Sequence, residues 1–341
     1  IVLSLLPVLV VGGIVYRQNK TMSAFAGEET IRLAYEDLDH IAEGVYAMCA
    51  AQEEVLQQMV NSNLNVARKV LEVNGQVRLD QNDSIEWQAV NQVTRAAASV
   101  RLPKMYSGDE WLGQNSDMKS PSPVVDEVQR LVGGTSTIFQ RMNDAGDMLR
   151  VTTNVPTDQG QRAIGTYIPR TQADGTPNPV LAAVLSGRVF QGRAKVMNSW
   201  YITAYEPIND AQGNVIGMLY VGIPQESATG LRQAIMNTRV GETGYVFVLN
   251  AKGDSRGHYV ISDNGTRDGE DIWGAKDSDG TYFIQAICNL AAGLQPGEIG
   301  EYQYPWQNPG DPEPRMKVVR LMYFEPWDWV IGPGSYIDEF T

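Results

Sequence analysis

The sequence predicts an α+β fold, in which a long N-terminal helix that starts as a membrane helix leads into two antiparallel-sheet modules. Three observations carry this. The first sixteen residues (IVLSLLPVLVVGGIVY) are uncharged, a helical spacing of three and four then runs without proline to residue 73, and short β-branched and aromatic segments alternate with Gly, Asn and Asp turns thereafter. At about 150 residues per domain, 341 residues allow two folded units.

Residues 1–16 fall just short of the roughly 20 apolar residues that span a bilayer. With no initiator Met, the segment is expected to be part of a transmembrane helix whose start lies before residue 1. A cleaved secretory signal is the rival reading, because Ala24-Phe25-Ala26 resembles a peptidase site. Arg17 and Lys20 stand between the apolar run and that site, where signal peptides seldom carry charge.

Residues 17–75 read as one long signalling helix. A heptad-like seam passes through Ile31, Tyr35, Leu38, Ala42, Val45, Cys49, Gln52, Leu56, Met59, Asn63, Val66, Val70 and Val73, and Gly75 supplies a stop. Two or three helices bent at Gly27 and Gly44 are the alternative. Gln52 and Asn63 either set register in a dimer or merely interrupt the seam, and His40 falls off it.

Beyond Gly75, strands are predicted at 148–155, 162–168, 200–207, 215–223, 245–250, 259–262, 317–324 and 329–332, with helices at 124–132, 180–185, 228–237 and 283–292. An internal echo divides the body into modules at 76–226 and 227–341. Tyr205-Glu206-Pro207 precedes Val215-Ile216-Gly217 and Tyr220-Val221-Gly222, as Phe324-Glu325-Pro326 precedes Val330-Ile331-Gly332 and Ser335-Tyr336-Ile337.

Composition removes several functions. A net charge of −13, from 27 Lys+Arg against 40 Asp+Glu, opposes a nucleic-acid partner. Two cysteines and two histidines leave no metal site and no cofactor to expect. Neither His40 nor His258 sits in a nucleophile-elbow pattern, and Gly133-Gly134 lacks the Lys-Ser/Thr of a phosphate loop. Asp268-Gly269-Glu270-Asp271 does not follow calcium-loop spacing, and Asp277-Ser278-Asp279-Gly280 reads as a turn before a helix. An enzyme is not expected.

Many short motifs recur in one order: Leu102-Pro103-Lys104-Met105, Gly108 to Gly113, Gly133 to Phe139, Arg150 to Val155, Arg162-Ala163-Ile164-Gly165-Thr166, Gly244 to Val248, Gly257-His258 and Phe324 to Gly332. Together they resemble the fused Cache 3–Cache 2 extracytoplasmic sensor region of bacterial methyl-accepting chemotaxis proteins over roughly residues 85–341. The resemblance implies PAS-like Cache modules, membrane-distal at 76–226 and membrane-proximal at 227–341. It also implies residence in the inner membrane with residues after about 17 outside the cytoplasm, and a second membrane passage after Thr341.

In the first module, Arg150, Thr152 and Asn154 share one face of a strand, either as a carboxylate clamp or as a solvated polar row. Arg162 and Tyr167 follow on the next strand, and Trp200, Tyr201 and Tyr205 on the hairpin, with Tyr205 read as core. In the second, the family's small-acid sensors resemble one another in a Pro-Lys pair with a Tyr three residues on. Here Lys317 matches the Lys, whereas Met316 and Arg320 stand where Pro and Tyr are expected. That departure leaves a larger anion open, with Tyr245, His258 and Tyr282 as walls. His258 is also open to a purely structural role.

The expectation is a ligand-sensing ectodomain of a membrane-anchored homo-oligomer that binds a small carboxylate or amino acid. The alternative is a pilin-like filament subunit assembled through the N-terminal apolar helix, although the sequence lacks the early Glu and the first-position Phe of that class.

Overall fold

The structure is a computed structural model that describes residues 2–307 and 312–340; before residue 27, Arg17 alone has a described side chain. One helix, α1 (Val2–Asn74), opens the chain and continues through Gly27 and Gly44, so the bent alternative does not occur. It stops at Gly75, whose φ of 122° suits a residue without Cβ. The membrane segment expected at 1–16 lies among side chains outside the description. Among the described residues no helix is long and apolar enough to cross a membrane.

The chain folds as two compact units, Glu53–Ser227 and a second made of Ile1–Gln52 with Ala228–Thr341. The first holds β1 (Val77–Asn91), β2 (Ala97–Ser107), β3 (Glu110–Trp111), α2 (Val125–Val132), β4 (Thr135–Arg141) and β5 (Met148–Thr153). It continues through β6 (Thr166–Ile168), α3 (Pro179–Leu185), β7 (Phe190–Val196), β8 (Ser199–Asn209) and β9 (Val215–Pro224). These strands form one nine-stranded sheet in the order β3-β2-β1-β6-β5-β4-β9-β8-β7. Every ladder is antiparallel except the short β1–β6 pairing.

All six residues of β5 are buried, because the strand lies mid-sheet with both faces covered. On one side α3, capped by the Asn178 side chain at the Val180 and Leu181 amides, packs Val180, Leu181 and Val184 against Phe139, Met148, Tyr205 and Tyr220. Along the part of α1 in this unit, Leu56, Val60, Leu64, Ala67 and Leu71 are buried, and Arg68 Nε donates to Glu206 at 2.9 Å. After Leu56 the predicted seam keeps only Asn63 in the buried stripe: Met59 and Val73 face solvent, and Val60 and Leu71 point inward.

The other unit contains α4 (Thr229–Asn237), β10 (Arg239–Val240), β11 (Gly244–Asn250), β12 (Tyr259–Ile261), α5 (Phe283–Ala292), β13 (Gly300–Trp306), β14 (Arg315–Phe324) and β15 (Trp329–Tyr336), followed by a 3₁₀ turn at Ile337–Phe340. Its antiparallel sheet has the order β10-β11-β15-β14-β13, with β12 paired to β11. On one face α5 buries Phe283, Ile284, Ile287, Cys288 and Ala291 against Leu249, Val319, Leu321 and Val330, and Phe283 stacks on Tyr304 at 4.5 Å between centroids. A large apolar side chain buried this way stabilises by about 1.5–3 kcal/mol. The opposite face takes the first part of α1, where Leu38, Ala42, Val45 and Cys49 are buried and Tyr46 meets Phe324 edge-on at 5.4 Å.

The α+β class and the long helix are as the sequence predicts, and both echoed segments are hairpins, β8–β9 and β14–β15. One strand is shorter than expected: of 162–168 only β6 pairs as a strand, and Arg162 instead makes an isolated bridge with Pro156.

Candidate ligand-binding site

In the unit of α5, alternation along β14 sends Lys317, Val319 and Leu321 to the α5 face, and Arg320 and Phe324 to the α1 face. Lys317 stands opposite Tyr336 on β15 and Tyr304 on β13. Its stem crosses β15 at Gly334, where a Cβ would lie 2.9 Å from Lys317 Cε. The missing side chain lets the ammonium reach β11, and Nζ sits 3.5 Å from the centre of the Tyr245 ring, with Phe247 and Tyr336 within 6 Å.

Lys317 is fully buried, and its Nζ has no hydrogen-bond partner among the described residues. Burial lowers its pKa from 10.5 to about 7, against the opposing pull of Asp263 and Glu339. Burial likewise pushes the Tyr245 phenol up, so the ring offers a neutral hydroxyl. A buried ammonium faced by aromatic rings and lacking a described carboxylate partner has the chemistry to take an anion as counter-charge.

The other predicted residues of this unit do not join it. Arg320 is paired with Asp39 on α1 and with Glu301 on β13 at 2.7 Å. The sheet lies between Arg320 and Lys317, so the two cations do not share one anion. Tyr282 is 45% exposed under Lys276. His258 bridges to Asp271 through its backbone, and its ring Nδ1 lies 3.4 Å from the Arg256 carbonyl. Tyr336, Phe247 and Gly334 went unread, since their place follows from lateral strand register, which no local pattern carries.

In the unit of the nine-stranded sheet, Arg150 and Arg162 contrast. Arg162 is saturated. Both its terminal nitrogens bond the Asp126 carboxylate at 2.8 Å, and Nε, Nη1 and Nη2 reach the carbonyls of Asp117, Thr153 and Ser120. It ties the 117–120 loop and α2 to β5. Arg150 is 1% exposed yet has no carboxylate partner among the described residues: Nη1 donates to Thr166 Oγ1, Met197 Sδ lies at 3.7 Å, the Phe139 ring at 4.9 Å, and Nε has no partner among them. A solvated polar row is thus not where Arg150 sits, and a buried unpaired charge of this kind costs several kcal/mol.

Thr152 is bonded to Ser122, and Tyr167 accepts from Asn91. Trp200 is 39% exposed beneath Arg193, and Tyr201 is half-buried at the edge of the α3-side core. Neither makes a described contact with Arg150. The groups that do surround it, Phe139 on β4, Thr166 on β6 and Met197 in the turn between β7 and β8, share no sequence motif.

The model of the Cache 3/Cache 2 fusion domain matches residues 24–341. Over 72 residues (21% of the chain) the sequence is 33% identical to the methyl-accepting chemotaxis protein McpP of Pseudomonas putida, of which it covers 13%. Over 99 residues (29%) it is 31% identical to the sensor histidine kinase MctS of Rhizobium johnstonii, of which it covers 20%. The chain thus spans a fifth or less of the length of these curated relatives. The ligand-binding domain of the Campylobacter jejuni chemoreceptor Tlp3, solved with L-valine, overlays 93% of this chain and 98% of its own at 10% identity and a TM-score of 0.44.

Proposed function

This chain belongs to the Cache 3/Cache 2 fusion domain family, and from that premise we propose that it is the extracytoplasmic ligand-sensing part of a membrane receptor, with a small carboxylate as ligand. The observation that carries the ligand class is Lys317: a fully buried ammonium with no partner, facing the Tyr245 ring. A carboxylate supplies the missing counter-charge, and Tyr245, Tyr304 and Tyr336 offer hydroxyls and apolar faces around a short carbon skeleton.

Residues 76–226 and 227–341 act as two sensory modules on a signalling helix at 17–75, in a homo-oligomer held in the inner membrane through the segment before it. No bond is made or broken; binding is the whole activity of this part. The signal leaves through β15. Tyr336 lies between Lys317 and Arg315, whose guanidinium is 4.1 Å from the ring. The next turn is clasped by Glu339, which accepts from the Glu242 amide and Ser335 hydroxyl and pairs with Arg315. A ligand that prefers one arrangement of Tyr336 biases this clasp, and about 1–3 kcal/mol of such preference suffices for signalling.

The test is calorimetric titration of the full chain with acetate, propionate and pyruvate. Saturable binding is expected, and the binding event that weakens as pH rises is lost in Lys317→Met. If the anion binds only the protonated amine, the binding constant of this site falls about tenfold from pH 6 to pH 8. Full affinity in a folded Lys317→Met variant, or no binding by any of the three acids to the parent, overturns the reading.

A further inference from the structure

We propose that β7 is a docking edge, at which an extended acidic segment of a partner protein adds one more strand to the sheet of the unit Glu53–Ser227. That sheet ends in β3 on one side and in β7 on the other. β3 is two residues long and offers little to pair with, whereas β7 runs for seven, about 23 Å at 3.3 Å per residue. Its ladder with β8 uses one side, and among the described residues no strand pairs on the other. Alternate residues of such an edge aim an N–H and a C=O outward.

The charge on this edge is of one sign. From Gly175 to Tyr205 the chain carries no Asp or Glu, in a sequence of net charge −13, and that stretch holds Arg188, Arg193 and Lys195. Core contacts separate the two faces of β7. Phe190, Ala194 and Val196 turn to the α3-side core, so Gln191, Arg193 and Lys195 line the opposite face. The Arg193 guanidinium lies 3.8 Å from the centre of the Trp200 ring on β8, and Lys195 is exposed. Arg95 adds a further cation at the β7–β8 turn, through its 2.8 Å bond to Asn198.

Cations on an edge strand guard it against pairing with a like strand, and here that guard selects the partner. A second copy brings an equally basic β7, and joining the two edges would set Arg193 and Lys195 against like charges about 5 Å away. An acidic strand meets the same groups with the opposite sign. The two faces of β7 then fix its pattern. Carboxylates belong at every second position, beside Arg193 and Lys195, with small apolar side chains between them beside the half-buried Phe190 and Ala194. The backbone ladder supplies affinity, and the alternation supplies register.

The probe is the peptide acetyl-Glu-Val-Asp-Val-Glu-Val-Asp-amide, titrated into the full chain by fluorescence anisotropy, with amide hydrogen exchange read by mass spectrometry. Saturable binding is expected, weakening about tenfold or more from about 50 mM to about 500 mM NaCl, with slowed exchange centred on β7. Lys195→Glu, at an exposed position, should weaken binding about threefold, and adding Arg193→Glu about tenfold. A peptide with Lys at each acidic position should not bind. Nor should the acidic peptide with every amide N-methylated, which keeps its charge but cannot complete a ladder.

The docking edge is overturned if the acidic peptide fails to bind at about millimolar concentration, or if slowed exchange falls on another element. Equal affinity of the N-methylated peptide would leave charge attraction without strand addition, and unchanged affinity in Lys195→Glu would remove the charge; either result overturns it. In the peptide-free chain, exchange at β7 that slows as protein concentration rises would give the edge to a second copy and overturn the acidic partner. Lys317→Met is expected to leave peptide binding unchanged, so the fate of the anion site and that of this edge are read separately.

Discussion

Lys317 and Arg150 are both cations held in apolar cores without a carboxylate, and their chemistry sends them different ways. The amine of Lys317 has an exit, since its pKa falls to about 7 in the folded chain against 10.5 when solvated. Between those two values the unfolded chain binds more protons than the folded one, so stability rises with pH across that window and is lowest below about pH 7. In anion-free buffer, this residue is expected to stabilise the parent by roughly 2–3 kcal/mol between pH 6 and pH 9. Lys317→Met should remove that slope and be the more stable protein at pH 6; urea unfolding at both pH values reads it. A flat profile in the parent would mean that the amine is solvated. The sequence marked both cations, because Arg and Lys inside strand-like segments stand out. It did not mark their neighbours: Phe139 faces Arg150 across β4–β5, and Tyr336 faces Lys317 across β14–β15, through cross-strand register that the pattern within one strand does not carry.

At the scale of elements, α2 is held by charge as much as by apolar burial. Val125 and Val128 are its buried residues, while Asp126 on its first turn reaches the Arg162 guanidinium. The turn before it is strained. Val124, a β-branched residue, adopts φ 63° and ψ −65°, closed by a Val125 amide to Pro123 carbonyl bond of 2.6 Å. The ion pair and this turn act on the same segment, so losing the pair should loosen α2 and the 117–120 loop together. Asp126→Ala leaves Arg162 buried without its counter-charge and should lower stability by about 3–5 kcal/mol by urea unfolding, while a loss under 1 kcal/mol would show that backbone carbonyls alone satisfy it. Legibility followed burial pattern here. Helices α2 to α5 and the apolar strands β8, β9, β11, β14 and β15 carry clear periodicity. The hairpin of β1 and β2 does not, because much of both strands is exposed and polar, as in Asp80, Asn82 and Asp83.

At the scale of the molecule, one unit is contiguous in sequence and the other is assembled from two stretches. The contiguous unit contains its own helix stretch, sheet and α3-side core, so residues 53–227 expressed alone should unfold cooperatively in urea and give dispersed amide spectra. Residues 228–341 alone should not. Without α1, Phe324 loses Tyr46, Arg320 loses Asp39, and an apolar sheet face lies open. A well-dispersed spectrum from 228–341 would show the helix to be dispensable. The α1 stripe also shows why a seam read from sequence goes astray: up to Leu56 it tracks the buried residues, and beyond that the helix serves another core, with Val60, Leu64 and Leu71 turned inward.

The split composition of the second unit has a bearing on biosynthesis. A ribosome delivers the first part of α1 early and β15 last, so the sheet that covers this helix cannot close until translation has passed Tyr336. The contiguous unit is complete more than a hundred residues sooner. Nascent chains therefore hold an uncovered amphipathic stretch through most of elongation, which makes it the segment that a chaperone or a bilayer surface must shelter.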